Sequence, residues 1–90
     1  MFTLANPMHP GAFLKEAYMD PMDIKVTQLA DKMGVSRSSV SRLVTGKSDL
    51  SYEMALRLAK VFKRSASGWM NLQTAYGLYQ AKQKLELESI

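Results

Sequence analysis

One segment, GVSRSSVSRLVTG from Gly34 to Gly46, restricts the fold more than any other part of the chain. Val35, Val40 and Leu43 recur there at the spacing of one face of an α-helix, and a glycine stands before and after, where a left-handed residue ends a helix. Nowhere does the chain carry a sustained alternation of apolar and polar residues between turn signals, so the expected fold class is all-α.

The same reading yields five helices. The first is expected to start at Pro10, present Phe13, Leu14, Ala17 and Tyr18 on one face, and stop at Asp20-Pro21. The second covers about Thr27 to Met33, with Leu29, Ala30 and Met33 inward and Gly34 closing it. Ser36 caps the third, which runs to Val44 or Thr45. Ser51 caps a fourth that buries Met54, Ala55, Leu58, Ala59 and Phe62, and Ser65 caps a fifth carrying Trp69, Leu72, Tyr76 and Tyr79. A chain of 90 residues supports one core. The expected domain spans residues 9–80, after a flexible segment 1–8 and before a tail, 81–90, whose alternating charges and few large apolar residues should let it fray.

Two helices joined by so short a turn form the layout of a helix-turn-helix. Ala30 is small enough for the pair to approach closely, and Val35, Val40 and Leu43 anchor the second of them from behind. Helical geometry then turns Arg37, Ser38, Ser41 and Arg42 outward. A solvated helix face usually mixes both signs of charge, and this one has no acid. An α-helix fits the major groove of B-DNA, where an arginine can bond guanine O6 and N7 together. Arg37 and Arg42 are therefore the base-reading candidates, with Ser38 and Ser41 as shorter-range partners of bases or water. Ser39, Thr45, Lys47 and Ser48 lie nearer the flanks, where contacts to phosphate position a protein without reading sequence.

Charge agrees with this placement. The net charge is +4, and residues 25–47 hold Lys25, Lys32, Arg37, Arg42 and Lys47 against Asp31 alone. Residues 1–24 are acidic on balance, with Lys15 against Glu16, Asp20 and Asp23. A basic middle is expected of a surface that meets a polyanion. Arg57, Lys60, Lys63 and Arg64 could touch flanking phosphates or simply face solvent.

Other chemistries find no support. The chain has no cysteine, so neither disulfides nor thiolate metal sites are available. Its one histidine, His9, cannot assemble a metal cluster or a nucleophile–base pair, and the carboxylates are scattered between elements. No enzyme activity, metal or cofactor is expected. No window approaches the roughly 20 apolar residues of a membrane span, and a reducing cytoplasm fits best. His9 either switches function or fixes the start of the first helix. Trp69, Tyr76 and Tyr79 either stack on single-stranded nucleic acid or pack in the core or a dimer contact.

The segment QLADKMGVSRSSVSRLVTGKS, Gln28 to Ser48, resembles the XRE, or lambda-repressor-like, class of helix-turn-helix proteins, in its Leu29-Ala30, Gly34-Val35-Ser36, Val40-Ser41 and Gly46. HPGAFLKE at His9 to Glu16, LSYEMALRLAKVF at Leu50 to Phe62 and WMNLQTAYGL at Trp69 to Leu78 resemble the HigA-type antitoxins within that class. The resemblance implies a compact five-helix domain whose recognition helix runs from Ser36 to Thr45. It also implies a homodimer that represses its own operon at an inverted-repeat operator on double-stranded DNA, and that neutralises a small mRNA-cleaving toxin encoded beside it. Lys25 and Val26 depart from the family, standing where a capping serine and a phosphate-contacting glutamine are usual. Lys25 and Gln28 are expected to meet phosphate in their place, and the dimer contact is expected on the fifth helix at Trp69, Leu72, Tyr76 and Tyr79.

Overall fold

The first helix begins on a histidine. His9 Nδ1 accepts the Gly11 backbone N–H at 2.9 Å, and Pro10 follows in the first turn, where its missing N–H costs nothing. In the computed structural model, which describes residues 7–88, α1 occupies residues 10–22 as three joined pieces: α-helical Pro10–Leu14, a π-helical stretch Lys15–Met19, and a closing turn Asp20–Met22. Residues 1–6 of the expected N-terminal segment and residues 89–90 of the tail lie outside the described residues.

The π stretch corrects two expectations. Asp20-Pro21 does not end α1, which continues to Met22 and closes at Asp23 in the left-handed conformation, φ 54°. Proline breaks an α-helix through its ring and its missing donor. Here the wider turn just before it, with Asp20 N–H bonded to the Lys15 carbonyl, makes room for the ring. The extra residue also rotates the helix face, so that Ala17 is exposed and Met19 is buried in its place.

The remaining helices are α2 (Val26–Met33), α3 (Arg37–Val44), α4 (Tyr52–Val61) and α5 (Ala66–Glu88). Among the described residues there is no strand. Serine caps act where expected: Ser36 Oγ accepts the Ser39 N–H at 3.1 Å, Ser51 Oγ that of Met54 at 3.1 Å, and Ser65 Oγ that of Gly68 at 3.0 Å. At the start of α2, Lys25 has no acceptor to offer, and the side chain of Gln28 instead accepts the Lys25 N–H at 2.8 Å.

Leu14, Leu29, Val40, Ala55 and Trp69, one from each helix, have no exposed surface and form the centre of a single core. Trp69 meets Phe13 edge-on at 5.9 Å and Tyr18 at a tilt at 5.5 Å, and the Arg64 guanidinium lies over Phe13 and Trp69 at 5.0 and 5.7 Å. Trp69 is thus sealed inside the domain. It cannot reach a second copy, and its expected place in a dimer contact is withdrawn. The helix that carries it does not stop near residue 80: α5 continues to Glu88, with residues 80–87 exposed.

Candidate nucleic-acid interface

The α2–α3 pair is locked by its turn. Gly34 adopts φ 71°, a conformation that favours glycine. Its N–H bonds the Asp31 carbonyl at 3.3 Å and the next N–H, of Val35, bonds Ala30 at 3.1 Å, which satisfies carbonyls at the end of α2. Arg57 of α4 takes another: its Nη1 donates to the Met33 carbonyl at 2.8 Å while Nε donates to Glu53 at 3.0 Å. One guanidinium therefore ties α4 to the C-terminus of α2, which answers the open question of what Arg57 is for. Arg64, over its aromatic rings, is similarly occupied within the domain.

With the turn fixed, α3 buries Val40 and Leu43 and presents the opposite face to solvent. Arg37, Ser38, Ser41 and Arg42 are all exposed on it. Among the described residues, Arg37, Arg42 and Lys47 make no ion pair; the pairs that form are Lys15 with Asp20 and Arg57 with Glu53. Side chains without an internal counter-charge are available to an external anion. Ser39 is half-buried, 2.8 Å from Ser36 Oγ, so it sits at the shoulder of this face. Lys25 and Gln28, at the start of α2, are exposed; the Gln28 oxygen is engaged by Lys25, and its amide nitrogen is left as the outward donor.

The chain after α3 is wound back onto that helix. Thr45 Oγ1 donates to the Ser41 carbonyl at 2.8 Å. The Arg42 carbonyl accepts the N–H groups of Lys47 and Ser48 at 2.8 and 3.2 Å. Thr45 and Lys47 are thereby exposed beside Arg42, and Ser48 is half-buried with its carbonyl accepting from His9 Nε2 at 3.0 Å. Arg37, Ser38, Ser41 and Arg42 are exposed as periodicity expects, whereas the bond from His9 behind them is not foreseen by it. The open groove of about 470 Å³ between α2 and α4 lies elsewhere and mixes Asp31 and Glu53 with Lys32, Arg57 and Lys60. It lacks the single sign of the α3 face.

The helix-turn-helix family profile matches residues 14–69. Over 83 residues the chain is 39% identical to the HTH-type transcriptional regulator YbaQ of Escherichia coli, spanning 92% of this chain and 74% of that one. It is 32% identical to antitoxin HigA-1 of Vibrio cholerae, across 97% of this chain and 82% of that one. The chain belongs to the HigA-like helix-turn-helix family. A solved relative, the Pseudomonas aeruginosa antitoxin HigA with the higBA promoter, matches at a TM-score of 0.82 and 36% identity over 94% of this chain and 96% of that one. In this HigA-like chain the profile takes in α2, α3 and α4 whole, and stops short of His9 and of the outer part of α5. Among the described residues no helix is long and apolar enough to cross a membrane, and no group of three potential ligands could hold a metal ion.

Proposed function

We infer that this chain is the antitoxin of a two-protein module and the repressor of its own operon, acting in the cytoplasm as a homodimer. The observation that carries the reading is the acid-free outward face of α3, held on a fold that matches the solved HigA relative over 94% of this chain. Arg37 and Arg42 read base edges in the major groove, Ser38 and Ser41 make the shorter contacts, and Lys25, Gln28, Ser39, Thr45, Lys47 and Ser48 hold phosphates around them. Two such helices about one turn of DNA apart, roughly 34 Å, call for an inverted-repeat operator. Repression is by occupation of the promoter and needs no chemical step.

The two-fold contact lies on the outer part of α5. Leu78 and Leu85 are 66% and 65% exposed and stand one heptad apart with Ala81 between them, the spacing of a helix–helix seam. Leu72 is half-buried against the core and Tyr76 against His9, so both back this surface rather than form it, and Tyr79 borders it. Residues 80–87 continue α5 past the core with their side chains exposed, and a second α5 would cover Leu78 and Leu85.

The deciding experiment is growth of cells induced for the small reading frame beside this one, with and without this protein. Arrest alone and rescue together are expected. No arrest from any adjacent frame would leave a DNA-binding regulator without a toxin.

A further inference from the structure

We propose that His9 is a positioning residue for DNA binding: it holds the Gly46–Ser48 loop, at the C-terminal end of the recognition helix, in the shape that offers Lys47 and Ser48 to phosphate. The inference rests on the reading of α3 as the DNA-contacting helix.

The geometry assigns His9 both ring nitrogens. Nδ1 accepts the Gly11 N–H at 2.9 Å, so in the neutral ring the proton is on Nε2, which donates to the Ser48 carbonyl at 3.0 Å. These partners lie on opposite sides of the ring: one is the first turn of α1, the other a loop 39 residues away in sequence. His9 is 8% exposed. Tyr76 of α5 stands edge-on to it at 5.0 Å, and Gly46 is beside it, a Cβ there falling 3.9 Å from Cδ2 and Cγ.

Capping α1 needs only Nδ1; the bond from Nε2 to Ser48 does something else. The loop after α3 leaves a helix C-terminus, turns at Gly46 (φ 77°) and carries Lys47 exposed beside Arg42. Its own backbone bonds run back only to the end of α3, from Gly46 N–H to the Leu43 carbonyl and from Lys47 and Ser48 N–H to that of Arg42. The imidazole ties Ser48 to α1, and the next side-chain tie along the same connection is two residues on, where Gln73 Oε1 of α5 accepts the Leu50 N–H at 2.7 Å. A phosphate contact made by Lys47 or Ser48 requires the loop to be ordered beforehand, or binding must supply the ordering.

The two roles separate by substitution. His9→Asn keeps an acceptor near the Nδ1 position and cannot reach Ser48; His9→Gln places its amide nitrogen near the Nε2 position and loses the cap. Binding is measured against a duplex covering the region directly upstream of the chain's own reading frame and a random duplex of equal length, across a salt series, with melting temperatures taken alongside. The expected result is a parental protein that prefers the upstream duplex. His9→Asn should melt close to the parent, bind about three- to ten-fold more weakly, and lose about 0.9 from the slope of log K against log salt, as for one phosphate contact. His9→Gln should recover affinity despite a lower melting temperature. In whichever of the two variants folds, adding Lys47→Ala should weaken binding less than Lys47→Ala does in the parent if the loop is loosened. An unchanged slope and affinity in His9→Asn overturns the proposal. So do losses of affinity that follow melting temperature in both variants, or fully additive losses with Lys47→Ala in His9→Asn. A parental protein that ignores both duplexes instead overturns the DNA-binding reading itself.

Discussion

Gly11 of α1 lies directly against the backbone carbonyl of Leu43 in α3, so near that a Cβ on Gly11 would overlap that oxygen. Backbone cannot swing aside as a side chain can. Gly11→Ala should therefore displace the recognition helix and destabilise the domain by about 2 kcal/mol or more, the upper part of the range for overpacking. Gly77, on α5 with nothing within 4 Å of an added Cβ, is the matched control. Gly77→Ala should stabilise by about 0.5–1 kcal/mol through helix propensity, and urea denaturation of the two variants checks both signs.

Arg37→Ala and Arg42→Ala should each cost about 1–3 kcal/mol in operator binding and relax preference at one position per half-site, leaving stability within about 0.5 kcal/mol because both side chains are exposed. A set of duplexes with each half-site position varied in turn measures this. A uniform loss across all of them would move the residue in question from base reading to phosphate contact.

Arg57 and Glu53 form one ion pair, but the two ends are unequal. The pair is largely exposed, so Glu53→Ala should cost under about 1 kcal/mol. Arg57→Ala also removes the donor from the Met33 carbonyl at the end of α2, and should cost about 1–2 kcal/mol. Thermal melts of the two single variants give the comparison, and equal losses would mean the carbonyl bond contributes nothing.

Leu78→Asp with Leu85→Asp should convert the proposed dimer to a monomer, read by sedimentation, and weaken operator binding far more than binding to a single half-site. The stability of the monomer itself should stay close to the parent's, since neither side chain is packed on the domain.

The parts of the fold that depend on neighbours in sequence were legible there. Ser36, Ser51 and Ser65 cap helices through bonds that span three residues, and Gly34 and Gly46 take the positive φ that their places after a helix require. The α3 face follows from the same local periodicity. What was not legible depends on what packs across. Periodicity puts Trp69 on an apolar stripe, but does not say whether α1 or a second molecule covers it. Nor does a regular 3.6-residue period foresee the π stretch before Pro21, which exposes Ala17 and buries Met19. His9 could be read as the start of a helix, while its bond to Ser48 crosses 39 residues and leaves no trace in local pattern.

Trp69 is the only tryptophan in the chain, and it is sealed where α1, Phe62 and α5 meet. The protein thus carries its own optical gauge of core integrity. Emission from this indole should be blue-shifted in the folded state and move to the red only as α5 parts from α1. Unfolding can then be followed without a label, and a DNA or partner complex that leaves the emission maximum in place has left the core closed.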